Sequence, residues 1–359
     1  MVLSPTANGN ALGRALSNAL VAEQLGECRV FAPSSESIWP GASQFPMPVM
    51  TLDSSPSRFA RSLREVAGDR RIVIWSCKSM APLPRYVQAL RSTLRGYPHV
   101  VLADFDDDDA LLAGEFVTRG LGNRLRLNPL RKGSPWRITR AQAMMVRLAD
   151  ARTTATWALT RTAPGDQLET ARIPHVRTGA GKQRDARNGA ITRLRVGFLG
   201  TWRPHKGAGS LASIVGEADD VELVTFRQSG VPDGHGWTLL PSDMPLGDAY
   251  SMIDVLALPM SVSPASEYQL PAKLVDSFAA GVPVLATPTA AIREIAGTSV
   301  AYLRDWQDPK LVLASLRRVA ASDLGKQGQD LWRRSLTPQA AAPLLNELLV
   351  RLSTPSAGL

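Results

Sequence analysis

The segment Arg195-Val-Gly-Phe-Leu-Gly-Thr-Trp-Arg-Pro-His-Lys-Gly207 joins an apolar run to a basic, glycine-bordered loop. The run at residues 196–199 predicts a buried strand that ends at Gly200, and a helix is expected after the loop. The loop carries two cations, Arg203 and Lys206. Backbone N–H groups and the dipole of the following helix favour an anion at such a place, and the cations neutralise it. The segment therefore predicts a phosphate site at the carboxyl end of a strand.

A second informative segment lies further along the chain, Glu267-Tyr-Gln-Leu-Pro-Ala-Lys-Leu-Val-Asp-Ser-Phe-Ala-Ala-Gly-Val-Pro-Val284. It predicts a loop, a helix that begins at Pro271, and a tight Gly-Val-Pro exit into the next strand. Lys273 and Asp276 share one face of this helix. As an exposed ion pair they would contribute little to stability. Beside a phosphate loop, Lys273 is better used as a third cation on the same anion.

Together the two segments resemble the donor-binding half of the retaining GT-B glycosyltransferases of the family 4 type. The resemblance is best over residues 195–300. It implies that Arg203 and Lys206 bind the diphosphate of a nucleotide sugar. It also implies that Gly200 and Thr201, at the start of the loop, lie against the same donor.

The helix of the second segment carries the other donor contacts that the resemblance implies. Asp276 takes the place of the second carboxylate of the family's Glu-x7-Glu pattern, which binds the ribose hydroxyls. The family spacing puts Tyr268 where the first carboxylate belongs, and Glu267 comes one residue before it. Either Glu267 still reaches the donor sugar, or Tyr268 and Gln269 make that contact. On this interpretation Glu267 joins the two loop cations as a catalytic candidate.

Apolar runs and amphipathic stretches alternate along the whole chain, which predicts an α/β fold with parallel sheets. Two such series are separated by a polar, Gly-containing stretch. We therefore expect two Rossmann-like, doubly wound domains that face a cleft, the GT-B arrangement. Strands are predicted at residues 2–4, 29–32, 72–75, 100–103, 153–156, 195–199, 221–226, 255–259, 282–287 and 300–303.

The same patterns give the expected domain boundaries. Residues 1–175 form the N-terminal domain, which is the acceptor side by resemblance, and residues 176–193 form a linker or hinge. Residues 194–335 form the C-terminal domain, the donor side. Residues 336–359 contain a helix with one apolar face, which by resemblance crosses back to the N-terminal domain.

The loop after the first predicted strand carries candidates for acceptor binding. Gly13 would let the backbone approach a ligand, and Asn10 or Arg14 would donate hydrogen bonds to acceptor hydroxyls or phosphate. The alternative is an ordinary turn between strand and helix, in which Asn and Gly serve the backbone.

An acidic run, Asp104-Phe-Asp-Asp-Asp-Asp109, follows the strand predicted at residues 100–103. Asp104 is placed at the rim of the cleft, where a carboxylate can meet an acceptor hydroxyl. Capping of the next helix explains Asp107 to Asp109, because carboxylates favour the first turn. A divalent cation is the less favoured use of the run.

Charge points to anionic partners. The chain of 359 residues carries a formal net charge of +9, with much of the excess in residues 58–71, 119–152 and 172–195. This suits a nucleotide-sugar donor, an anionic lipid-linked acceptor or peripheral contact with a membrane. The simpler interpretation is a solvated basic surface. No basic motif interleaved with aromatic residues favours nucleic acid.

Other classes of protein are disfavoured by composition. No apolar run approaches the ~20 residues of a membrane span. Cys28 and Cys77 fit a reducing compartment, and the four His residues lack the spacing of metal ligands. A cytoplasmic protein without metal or cofactor is expected, with peripheral association at the inner membrane face as an option.

These observations favour a glycosyltransferase that moves a sugar from a nucleotide-diphosphate sugar to an acceptor sugar, a lipid-linked glycan or a small molecule. Retention of configuration and independence of metal are implied by the resemblance alone. Two alternatives stay open. One is a GT-B sugar-nucleotide epimerase or pseudo-glycosyltransferase, and the other is a non-enzymatic polyanion-binding protein, suggested by charge alone.

Overall fold

The computed structural model describes residues 1–34, 37–118, 133–179, 193–202, 206–228, 231 and 237–353. The chain divides into two compact units. The N-terminal unit consists of Met1–Val176 and Ala341–Leu359, and the C-terminal unit is Arg177–Ala340. Most of the linker expected at residues 176–193, and residues 119–132 of one basic stretch, lie outside the described residues.

The N-terminal unit alternates strands and helices. Its elements in chain order are β1 (Val2–Leu3), α1 (Asn10–Glu23), β2 (Val30–Pro33), β3 (Val49–Leu52), α2 (Pro56–Ala67), β4 (Ile72–Ser76), α3 (Leu83–Thr93), β5 (His99–Phe105), α4 (Asp109–Thr118), α5 (Pro135–Leu148), β6 (Ala151–Thr154) and β7 (Glu169–Arg172).

The C-terminal unit continues the same alternation. Its elements are β8 (Leu194–Phe198), α6 (Ala208–Gly216), β9 (Val221–Phe226), β10 (Trp237–Leu240), α7 (Leu246–Ser251), β11 (Val255–Leu258), α8 (Pro264–Glu267), α9 (Ala272–Ala280), β12 (Val284–Ala286), α10 (Ala290–Ala296), β13 (Ala301–Tyr302), α11 (Pro309–Ala320) and α12 (Leu324–Ser335). The helix α13 (Pro338–Arg351) follows.

Each unit is built on one sheet whose described strand pairs are all parallel. The seven-stranded sheet of the N-terminal unit has the order β3-β2-β1-β4-β5-β6-β7, and the six-stranded sheet has the order β10-β9-β8-β11-β12-β13. Strands β1 and β8 are buried along almost their whole length, because helices cover both faces of a parallel sheet. The predicted α/β class with two doubly wound sheets is confirmed.

Two switch points follow from these strand orders. In the N-terminal sheet the chain winds from β1 towards β3 on one side and from β4 towards β7 on the other. In the C-terminal sheet the corresponding pair is β8 and β11, with Val196 opposite Val255. Ligands of doubly wound folds bind at the carboxyl ends of the strands beside such a point.

The helix α13 leaves the C-terminal unit after its first turn and completes the core of the N-terminal unit. Ala341, Leu345 and Leu348 are buried there, in a cluster that includes Leu12 and Leu16 of α1. The small and branched side chains form one apolar face, as an amphipathic helix requires. Among the residues that the structure describes, no helix combines the length and the apolar character of a membrane span.

Because α13 is part of this core, shortening one of its buried side chains should destabilise the N-terminal unit. Leu348 is 0% exposed, and truncation of a buried leucine costs about 2–5 kcal/mol. We expect Leu348→Ala to lower the urea midpoint of that unit accordingly. Val350→Ala, on the solvent side of the same helix (55% exposed), should change it by less than about 0.5 kcal/mol. Equal effects of the two substitutions would contradict this packing.

Candidate active site

The loop that leaves β8 is held by a side chain from the neighbouring strand. Gln228, which follows β9, accepts a hydrogen bond from the Trp202 N–H at 3.0 Å and donates one to the Gly200 carbonyl at 3.0 Å. This two-way contact fixes the backbone on both sides of Thr201, whose side chain is exposed. Arg203, the first loop cation, lies outside the described residues. Gln228 was not among the predicted site residues, because nothing in its local sequence marks it.

The helix α6 begins beside the end of β11. Its N-cap residue is Gly207, whose backbone is left-handed with φ at 67°. A Cβ at this position would lie 2.0 Å from the Pro259 carbonyl oxygen, so only glycine permits this approach. Lys206 directly precedes this turn. The start of α6 is therefore held at the carboxyl edge of the switch-point strands.

No side chain among the described residues caps α6. The N–H groups of the first turn of a helix have no partners within it, and the helix dipole adds partial positive charge there. With Lys206 adjacent, this end of the sheet has the electrostatics of an anion site. Anion binding at this loop stays a prediction, which is taken up in the proposal below.

Asp276 on α9 is enclosed by two cations. The Arg177 Nε donates to Asp276 Oδ1 at 2.5 Å, and the Lys273 Nζ donates to Asp276 Oδ2 at 3.1 Å. The carboxylate side chain is 2% exposed. Burial alone would raise the pKa of Asp276, but the charges of Arg177 and Lys273 outweigh it and hold that pKa below its ordinary value. Asp276 is therefore ionised at neutral pH.

The ion pair between Lys273 and Asp276, which the sequence offers as the simpler interpretation, is present. Lys273 is more accessible than its partner, with 24% of its side chain exposed. Its carbonyl oxygen accepts from the Tyr250 hydroxyl at 3.1 Å, which ties α9 to α7. Lys273 is thus the more exposed of the two residues in this pair.

Glu267 ends α8 and supports the start of α10. Its Oε1 accepts from the Ala290 N–H at 2.9 Å, at the start of α10, and lies 3.5 Å from the Arg293 Nη2. About a third of the side chain (34%) stays exposed. Next to it, Tyr268 is the C-cap of α8, and the Gln269 N–H donates to the Ser266 carbonyl at 3.3 Å. Of these two adjacent residues, Glu267 is the one whose carboxylate accepts a hydrogen bond at the start of α10.

In the N-terminal unit, Arg14 and Asp104 are not available to a ligand. The guanidinium donates to the two carboxylate oxygens at 2.9 and 2.7 Å, and to the Ile173 carbonyl at 2.8 Å. The Thr153 hydroxyl donates to the same carboxylate at 2.7 Å. Both charged side chains are 0% exposed. The prediction of ligand contacts for Arg14 and Asp104 is corrected: they form an ion pair inside the core, where the charges satisfy each other.

The other two acceptor candidates lie on α1. Gly13 faces the ring of Trp39, which a Cβ would meet at 3.4 Å. Gly13 thus packs against the indole, and its approach to a ligand stays a prediction. Asn10, the first residue of α1, is exposed and keeps its side chain at the carboxyl edge of the sheet.

The buried Lys78 forms ion pairs with three carboxylates of the acidic run. Lys78 follows β4, and its Nζ lies 2.8 Å from Asp106, 2.9 Å from Asp107 and 3.1 Å from Asp109. The expected capping role holds only for Asp108, which accepts from the Leu111 N–H at 2.9 Å. Asp107 and Asp109 pair with Lys78 instead, because β4 and β5 are neighbours and their carboxyl ends meet.

In this acidic cluster the negative charges outnumber the positive charge. Three carboxylates share one ammonium, and His175 Nε2 lies 4.0 Å from Asp106. Burial, helped by the nearby charges of Asp107 and Asp106, raises the pKa of Asp109 to about 7 despite the opposing charge of Lys78. Among the described residues, no group of His, Cys, Asp and Glu side chains has an arrangement that would hold a metal ion.

Comparison with known proteins identifies the fold. No protein-family model matches the sequence, and no curated protein does. The sucrose-phosphate synthase of Thermosynechococcus elongatus is 14% identical, with a TM-score of 0.65 over 98% of this chain and 96% of that chain. HepE of Anabaena, solved in complex with UDP and glucose, is 13% identical, with a TM-score of 0.67 over 97% of this chain and 98% of that chain. A glycosyltransferase of Rickettsia africae is 8% identical, with a TM-score of 0.65 over 99% and 98%.

At such identities the likeness establishes the fold. The chain has the GT-B type of α/β fold that these glycosyltransferases share, with two Rossmann-like units. Membership of family 4 stays a prediction. The structure places Lys206 before α6, Asp276 on α9 and Glu267 at the end of α8. Their roles belong to the proposal below.

The acidic cluster predicts a dependence of stability on pH. An unfolded aspartate has a pKa near 4, so between about pH 4 and 7 folded Asp109 keeps a proton that the unfolded chain has lost. The free energy of unfolding should therefore fall as pH rises through this window. We expect Asp109→Asn to abolish the decrease in the free energy of unfolding that Asp109 causes, and to be more stable than wild type at pH 8.

Urea midpoints at pH 5, 6, 7 and 8 measure this effect. Asp69→Asn is the control, because Asp69 is exposed in the same unit. Parallel pH profiles for Asp109→Asn and wild type would mean that Asp109 is ionised throughout the range.

Proposed function

We propose that this protein is a glycosyltransferase that takes its sugar from a nucleotide-diphosphate donor, with the donor bound by the C-terminal unit. One observation carries the proposal: the N-terminus of α6, which no described side chain caps and to which Lys206 is adjacent, lies at the carboxyl edge of the switch-point strands. That is the place and the electrostatics that a diphosphate requires. The shared fold with HepE, solved with UDP and glucose, makes a UDP-sugar the first donor to test.

In this proposal the diphosphate lies against the first turn of α6. Gly200 and Thr201 bring the backbone of the β8 loop to it, and Arg203 and Lys206 supply the charge. Lys273, which keeps part of its side chain exposed, adds a third cation when the donor binds. These groups are positioned before the reaction, so they stabilise charge without reorganisation at the transition state.

Chemically, the bond between the anomeric carbon and the diphosphate oxygen breaks as positive charge develops on the sugar ring. Negative charge then accumulates on the departing diphosphate, where Arg203 and Lys206 act. Glu267, or Tyr268 with Gln269, holds the sugar, and Asp276 accepts hydrogen bonds from the ribose hydroxyls. Retention of configuration and independence of metal are parts of the proposal taken from the family 4 resemblance.

The N-terminal unit is proposed to bind the acceptor, which is a sugar, a lipid-linked glycan or a small molecule. Asn10 keeps its role as a surface contact for acceptor hydroxyls. Arg14 and Asp104 act from the core, where their ion pair holds α1 against the end of β5. Peripheral contact with an anionic membrane through the basic stretches is proposed only for a lipid-linked acceptor.

The first test of this function is the substitution of Lys206, the loop cation that the structure describes. Lys206→Ala removes a charge-assisted contact worth about 1.5–3 kcal/mol, so kcat/KM for the release of nucleotide from the donor should fall by about 10- to 150-fold. Release is measured with UDP-, GDP-, ADP- and TDP-sugars, with and without acceptor. Arg203→Ala should have an effect of the same size.

Lys310→Ala, an exposed lysine on α11 of the same unit, is the matched control and should leave release unchanged. Unaltered unfolding midpoints show that the variants are folded. If Lys206→Ala and Arg203→Ala both kept wild-type kinetics, the donor loop would be assigned wrongly.

A second test separates Glu267 from Tyr268 at the donor sugar. Glu267→Gln keeps an oxygen acceptor for the Ala290 N–H and therefore keeps the cap of α10. We expect it to lower turnover by at least about tenfold, the effect of losing a hydrogen bond to a charged group. Tyr268→Phe should have a smaller effect. The reverse ranking, in the same release assay, would assign the sugar contact to the tyrosine hydroxyl.

A further inference from the structure

Asp276 cannot meet a ligand in the conformation that the structure shows. Its side chain is 2% exposed, and both of its oxygens already accept hydrogen bonds from cations. A ribose presents two adjacent hydroxyl groups, and both must reach the carboxylate to donate to it. At least one of the side chains that cover Asp276 has to move before a nucleotide can bind there.

Arg177 and Lys273 differ in how they cover the carboxylate. Lys273 belongs to α9 itself, lies one helical turn from Asp276, and is the more exposed at 24%. Arg177 comes from outside the helix, ninety-nine residues earlier in the chain, and is 12% exposed. Its Nε contact of 2.5 Å is also the shorter of the two. Arg177 is therefore the side chain that chiefly shields Asp276 from a ligand.

The backbone of Arg177 is anchored independently of this contact. Its N–H donates to the Leu336 carbonyl at 3.1 Å, and its own carbonyl accepts from the Trp332 Nε1 at 3.3 Å. The main chain is therefore tied to α12 and the residue after it, whereas the side chain alone reaches α9. The proposed displacement therefore concerns the side chain of Arg177, whereas these two hydrogen bonds hold its main chain.

We propose that Arg177 is an intramolecular occupant of the ribose subsite, which the ribose of a nucleoside diphosphate displaces from Asp276. This deepens the function proposed above and rests on it. In the ligand-free chain the guanidinium neutralises a carboxylate that would otherwise be buried with only one partner. When the nucleotide binds, its ribose hydroxyl groups replace the hydrogen bond to Asp276 that the guanidinium gives up.

The displacement has a consequence for affinity. A ligand that must first displace a competing group binds with its intrinsic affinity reduced by the fraction of molecules in which the subsite is open. The cost applies only to ligands that use the carboxylate. A nucleoside diphosphate therefore meets the competition of Arg177, but inorganic pyrophosphate, which has no ribose, does not.

The test compares these two ligands by calorimetric titration of wild type and Arg177→Ala. UDP, GDP and ADP are titrated first, and the nucleotide that wild type binds best is used. We expect Arg177→Ala to bind that nucleotide at least about fivefold more tightly, because only Lys273 then competes for Asp276. The Kd of pyrophosphate should not change.

Two further variants serve as controls for this comparison. Arg177→Gln retains an amide donor without the charge and should give a smaller gain, which stands even if Arg177→Ala fails to fold. Arg317→Ala is the matched control, since its guanidinium pairs with Asp220 at the surface of the same unit. It should bind both ligands as wild type does.

Three results would overturn the proposal. Unchanged or weaker nucleotide binding by both Arg177 variants would make Arg177 a permanent support for Asp276. Weaker pyrophosphate binding would place the guanidinium on the phosphates instead. If wild type and both variants bind neither nucleotide nor pyrophosphate, the donor site itself is wrong, a failure that the wild-type titration alone reveals.

Discussion

Parallel pairing is the constraint on which the arrangement of this protein depends. A parallel sheet leaves the carboxyl ends of all its strands at one edge, and each strand must be followed by a crossover that begins there. In the C-terminal unit this brings the loop after β8, the start of α6 and the end of β11 together at one switch point. In the N-terminal unit it brings Lys78, after β4, to the acidic run after β5.

The two units each contain a buried ion pair, and the two pairs differ in how completely they are enclosed. The pair of Arg14 and Asp104 is fully enclosed, so it fixes the position of α1 and presents neither charge to a ligand. Asp276 is matched by Arg177 and Lys273, and we propose that the Arg177 side chain is displaced by a ligand. A buried ion pair is costly to break when its partner is simply removed. A ligand that supplies replacement hydrogen bonds avoids most of that cost, and on this ground we propose the pair at Asp276 rather than the pair at Asp104 as part of a binding site.

The sequence predicted the two sheets but missed three strands, β3, β7 and β10. All three lie at the edge of a sheet and are partly exposed, so they lack the continuous apolar run of a central strand. Anion binding by the basic loop stays a prediction, whereas the strand β8 and the helix α6 on either side of it could be predicted because their signals are local. The ion pairs could not, because their members are 90 residues apart for Arg14 with Asp104 and 99 for Arg177 with Asp276. Local spacing cannot reveal such partners.

The central claim is that the N-terminus of α6 binds the diphosphate of a nucleotide. A crystal structure of the protein with UDP tests it most directly. The account predicts that the phosphate oxygens lie within hydrogen-bond distance of the first N–H groups of α6 and of Lys206, with the ribose at Asp276. Electron density for the diphosphate at any other place, with the start of α6 left to solvent, would contradict it.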